Sequence, residues 1–125
     1  MHQKSLFYWK LDKELMLNEI AEAEEEILKY SLMAKAEPTS EETKKGYEKI
    51  NGLIKGRINE LKRKIEATES QEKALIEKIY NIEDQELKEM AKAYFIDGLS
   101  CEEIGRKYYL ERTTVYKRLK RYFDD

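Results

Sequence analysis

The chain has 125 residues, 24 of them basic and 26 acidic, for a net charge of -2, with one proline and five glycines. That length holds one domain, or a small domain on a helical extension, and so few turn residues exclude a turn-rich β fold. One cysteine and one histidine exclude an internal disulfide framework and a four-ligand Cys/His zinc site, and any Ser-His-Asp or Cys-His chemistry would have to use His2. No run of about eighteen apolar residues occurs, and the first residues lack the order of a signal peptide. The expectation is a soluble, cytoplasmic protein outside the membrane, with no cofactor, no metal and no catalytic residues.

Charge is segregated along the chain. Residues 12–43 carry three basic and ten acidic side chains, residues 44–65 eight basic and two acidic, and residues 66–89 three basic and eight acidic. Residues 104–123 hold seven basic side chains against Glu111 alone. An acidic block followed by a basic one suits two antiparallel helices with charges paired across their seam, whereas the last block is left to attract an external anion.

In chain order, a helix is predicted from Leu6 to Ala36, where Met16, Ile20, Ala23, Ile27, Tyr30 and Ala34 recur at steps of four and three. The cluster Leu6, Phe7, Tyr8, Trp9 and Leu11 before that stripe reads as a plug at the end of a helical hairpin. Pro38 stops the helix, and Ser40 restarts one with Glu41 and Glu42 in its first turn. The second helix carries Ile54, Ile58, Leu61 and Ile65, then Leu75, Ile79 and Ile82 in the same register. Thr68 and Glu72 interrupt the stripe, which leaves open a break with Ser70 as N-cap. Gly46, Gly52 and Gly56 mark either a weak stretch or a close helix crossing. Residues 1–80 thus read as an antiparallel, coiled-coil-like hairpin, an oligomerisation or docking arm.

Residues 81–125 change character. Leu87, Met90, Ala91, Tyr94 and Phe95 share one face of a short helix ended at Gly98. Ser100 and Glu103 form a capping box for the next helix, in which Ile104 and Tyr108 point inward and Gly105 permits a close helix crossing. Leu110 is buried in the following turn. A last helix, Arg112 to about Tyr122, places Val115, Leu119 and Tyr122 on one face and basic side chains on the others. Two short helices around a tight turn, the second basic outside, form a helix-turn-helix whose reading helix fits the major groove.

The run Gly98-Leu99-Ser100-Cys101-Glu102-Glu103-Ile104-Gly105, with Leu110 and Thr114-Val115-Tyr116-Lys117-Arg118-Leu119-Lys120-Arg121, resembles region 4 of sigma-70-type factors. A hairpin followed by this module is similar to the small ArpU-like and RinA-like transcriptional regulators of phages and prophages. The resemblance implies an all-α, phage- or prophage-encoded regulator that binds double-stranded DNA, with RNA polymerase as a second partner and a homodimer through the hairpin as an option. On that resemblance Arg112, Thr113, Tyr116, Lys117 and Lys120 face bases, and Arg106, Lys107, Arg118 and Arg121 face phosphates. Two residues depart from the pattern: Tyr109 replaces a small turn residue, and Glu111 stands where Ser or Thr caps the reading helix. Glu111 would weaken affinity unless it accepts from a cytosine amino group. The alternatives are a small terminase-like packaging subunit that assembles a ring, and a polymerase-binding adaptor that ignores DNA.

Overall fold

The computed structural model describes residues 6–36 and 40–124. His2 and the Pro38 stop lie outside them. The described residues form five helices and no strand: α1 (Leu6–Lys35), α2 (Glu41–Tyr80), α3 (Gln85–Phe95), α4 (Cys101–Tyr108) and α5 (Arg112–Phe123). The chain is all-α, a long helical pair followed by three short helices. No helix is long and apolar enough to cross a membrane. Packing divides the described residues into two compact units, one within residues 13–68 and one of residues 6–12 and 69–124.

In the first unit α1 and α2 run antiparallel. Tyr30 stacks on Tyr47, the Asn51 amide donates to Ser31 Oγ at 3.1 Å and to the Ile27 carbonyl at 3.4 Å, and Arg57 meets Glu19 at 3.1 Å. Ile20, Ile58 and Leu61 are buried, with Met16, Ala23, Ile27, Ile54 and Ile65 packed against them, so both predicted stripes face each other. Ser40 starts α2 by accepting from the Thr43 N–H at 3.1 Å, with Glu41 and Glu42 in the first turn. The charge segregation gives the Arg57–Glu19 clamp across the seam. Other pairs, Arg57–Glu60 and Lys64–Glu60, lie along α2 itself.

Two questions that the sequence leaves open are decided here. Gly46, Gly52 and Gly56 face open space, and an added Cβ would meet nothing within 4 Å, so there is no close crossing at any of them. Of the two readings, the weak stretch is the one that stands. The second helix is not broken: α2 is continuous from Glu41 to Tyr80. At Thr68 the hydroxyl donates back to the Lys64 carbonyl at 2.9 Å, a bond that fits inside a helix. The stripe also leaves Leu17, Leu28, Leu32 and Leu53 outside the seam, largely exposed.

The second unit has the larger core. Leu75, Ile79 and Ile82 join Met90, Ala91, Ala93, Phe95, Ile104, Val115, Leu119 and Phe123 in one buried cluster. Leu6 and Trp9 pack against it, while Phe7, Tyr8 and Leu11 stay exposed, so the cluster splits by helical face and only Leu6 and Trp9 act as a plug. Asp84 caps α3, its Oδ1 accepting from the Glu86 and Leu87 amides at 3.0 and 3.2 Å. Gly98 takes φ 73°, and the Leu99 N–H returns to the Ala93 carbonyl at 2.9 Å, closing α3 as expected of a left-handed cap.

Candidate nucleic-acid interface

Three local devices set the geometry of α4, the turn and α5. Ser100 Oγ accepts from the Glu103 N–H at 3.1 Å and starts α4. The Glu103 carboxylate takes the Ser100 hydroxyl at 3.3 Å, which supplies the near half of a capping box by a different bond from the reciprocal one. Gly105 is then indispensable. An added Cβ would collide with the Leu110 carbonyl oxygen, so the close approach is made by the chain's own turn, not by a crossing helix. The Leu110 N–H donates to the Gly105 carbonyl at 2.8 Å, and Tyr109 sits between them in the left-handed region, at φ 58° and ψ 39°.

α5 is fastened along its inner face by Val115, Leu119 and Phe123. A repeat of four from Leu119 reaches Phe123, which takes the core place expected of Tyr122. Tyr122 is half-buried beside the cluster, and its hydroxyl donates to the Lys78 carbonyl at 3.3 Å. Lys78 in turn reaches the Phe123 carbonyl at 3.5 Å, placing a cation at the C-terminal end of α5 where the helix dipole favours one. The last turn of α2 therefore holds the far end of the basic helix.

With that face inward, the other faces are outward. Arg112, Thr113, Tyr116, Lys117, Lys120 and Arg121 are all exposed, with Lys120 lying over the Tyr116 ring at 5.8 Å from its centroid. On α4, Arg106 and Lys107 are exposed too. Arg106 meets Glu102 one turn back at 2.7 Å, and Lys107 lies over the Tyr108 ring. Arg118 is placed differently. It is two-thirds buried as a side chain and donates to Glu86 at 2.7 Å and to Asp84 Oδ2 at 3.5 Å, so its guanidinium ties α5 to the start of α3. One Asp84 carboxylate thus caps a helix with one oxygen and meets an arginine with the other.

Glu111 has the extended backbone of an N-cap but makes no side-chain cap bond, and the first-turn amides of α5 are left without one. An open hollow of about 670 Å³ lies beside the turn, lined among others by Gly105, Arg106, Tyr109, Glu111, Arg112 and Thr113. Burial pushes the Cys101 thiol and the Tyr94 phenol above their ordinary pKa values, which keeps both neutral near pH 7. Cys101 is thus a small, partly buried residue and not an acidified nucleophile. No group of three His, Cys, Asp or Glu side chains among the described residues is arranged to hold a metal.

Sequence reasoning missed the Asp84 cap, the Arg118 clamp and the Lys78 bond to α5. Only the first has a local signal, an Asp directly before a helix-forming run. The other two join residues more than thirty positions apart. Comparison with protein-family models, curated proteins and solved structures returned no match.

Proposed function

We propose that the chain is a sequence-specific, double-stranded-DNA-binding transcriptional regulator, with α5 as the helix that enters the major groove. One observation carries the reading: α5 is fixed by a buried apolar face while Arg112, Thr113, Lys117, Lys120 and Arg121 stand in solvent on its other faces. Residues 112–121 hold five basic side chains and no acidic one, whereas an inert solvated face mixes signs. Among the described residues, Arg112, Lys117 and Arg121 form no ion pair. A helix presented this way can donate from Arg and Lys to guanine O6 and N7, and Thr113 can add a hydroxyl or a methyl contact. Arg106, Lys107 and Arg121 then meet phosphates and set register. Arg118 serves the orientation of α5, through Asp84 and Glu86, in place of a phosphate.

Selection of bound duplexes from a random pool, followed by titration against salt, tests the reading. Log K should fall with log salt by about 0.9 for each phosphate contact. Arg112→Ala and Lys117→Ala should each remove about 1–3 kcal/mol of preference for the selected site, whereas Arg121→Ala should weaken all duplexes alike and flatten the salt slope by about one. Absence of salt-dependent binding to any duplex sinks the proposal. Sizing the bound complex separates regulation, by one or two copies, from a packaging ring of many.

A further inference from the structure

Tyr109 is the non-glycine residue with positive φ among the described residues, and it is 96% exposed. The left-handed conformation serves the turn, because it brings the Tyr109 and Leu110 amides back onto the Gly105 carbonyl. Glycine or asparagine would adopt it with less penalty, since an L side chain there crowds its own carbonyl. Packing does not explain the tyrosine either. The ring stands in water, outside the apolar cluster and, among the described residues, stacked on no other aromatic ring. A large side chain is thus held at the one position of the turn that resists it, and the fold gains no contact from it.

Its surroundings indicate what the ring is for. Tyr109 lines the open hollow beside the turn together with Arg106, Arg112, Thr113 and the acidic residues Glu102 and Glu111. Arg106 is already paired with Glu102 at 2.7 Å, so Arg112, which forms no ion pair among the described residues, and the phenol are the donors left to meet a phosphate and the sugar next to it. The phenol O–H donates to a phosphate oxygen, the ring covers the apolar edge of a deoxyribose, and Arg112 supplies charge. A reading helix that inserts its N-terminal residues into the major groove carries the preceding turn past the strand bordering that groove. Tyr109 lies three residues before Arg112, the first residue of α5.

We propose that Tyr109 is a contact to the sugar-phosphate backbone of the bound duplex, made on the groove-edge strand beside Arg106 and Arg112. The assignment rests on the DNA-binding reading above. It explains why a strained, exposed tyrosine occupies a turn that a glycine would suit.

Tyr109→Gly and Tyr109→Phe in the full chain test it, with melting temperature measured beside affinity for the selected duplex, an unrelated duplex and a single strand. The expected result is opposite signs. Tyr109→Gly raises the melting temperature by a few degrees yet weakens both duplexes by about fivefold. Tyr109→Phe keeps the wild-type melting temperature and weakens both by about twofold, reporting the hydroxyl alone. Unchanged or tighter duplex binding by the glycine variant overturns the assignment while leaving the DNA reading intact. A loss confined to the selected duplex, or to the single strand, overturns it as well, because a backbone contact is blind to sequence and belongs to the duplex. A lowered melting temperature in the glycine variant also overturns it, since the ring would then be structural. If the wild type binds no duplex, the DNA reading itself has failed, and that outcome is visible without any variant.

Discussion

Glu111 occupies an N-cap position and leaves the cap unmade. Its backbone is extended, at φ -73° and ψ 149°, but no side-chain oxygen reaches the first-turn amides of α5. A serine there has the shorter reach that such a bond needs and would satisfy one orphan donor. It would also remove a negative charge from the end of a helix that otherwise presents cations. Glu111→Ser should therefore stabilise the protein by about 1 kcal/mol and, on the proposed DNA-binding function, tighten binding to every duplex by a few-fold, measured by thermal melting and by anisotropy titration. The opposite change in affinity, restricted to sites with cytosine at one position, would mean that the carboxylate reads a cytosine amino group. Stability and affinity are read separately, so a cap effect and a groove effect cannot be confused. Gly105 is the contrasting case on the same turn: there the absence of a Cβ is required by the Leu110 carbonyl, so no gain is available.

At the scale of elements, the glycines of α2 have no such excuse. Gly46 and Gly56 are exposed, helical and free of neighbours that a Cβ could strike. Each exchange to alanine removes backbone freedom from the unfolded chain and should add about 0.5–1 kcal/mol. The two sites lie ten residues apart, about 15 Å along a helix, so the double variant should sum the single effects. Urea denaturation of the two singles and the double checks this, and a loss in any of them would show that something packs onto that face. The helices themselves were readable because their stripes follow one period over many turns, as in Ile54, Ile58, Leu61 and Ile65. Thr68 and Glu72 left the continuity of α2 open because a single sequence does not say where a stripe changes partners. Ile65 belongs to the hairpin cluster and Leu75 to the head cluster, so polar residues fall between the two. The helix-turn-helix was equally legible from Gly98, Ser100 and the spacing of Ile104, Val115 and Leu119. Phe123 was not, since Tyr122 and Phe123 each satisfy a helical step from Leu119 and only the packed core separates them. The Arg118 clamp was out of reach for a different reason: an arginine on a basic helix has the same local sequence whether it meets a phosphate or Asp84 and Glu86.

The whole molecule holds two apolar clusters of unequal size. Three side chains are buried in the hairpin cluster, Ile20, Ile58 and Leu61, against eleven in the cluster around Phe95. Burial is the main term that offsets chain entropy, so the hairpin should open locally at lower free energy than the head. Hydrogen exchange resolves this residue by residue. Amides of residues 16–65 should exchange faster than those of α3 and α5 around Met90, Phe95 and Leu119. Two truncations sharpen the contrast. Leu61→Ala, which removes about 2–5 kcal/mol of packing, should speed exchange through the hairpin and leave Phe95 and Leu119 nearly as protected as before. Phe95→Ala, costing about 3–5 kcal/mol, should strip protection from the head, and with it duplex binding, because α5 loses the face that orients its cations. The continuous α2 runs through both clusters, so the alternative has a physical basis: a helix stiff enough to couple them would make either truncation accelerate every amide by the same factor. That uniform response would show one cooperative body, and a binding helix whose presentation depends on the arm as much as on its own core.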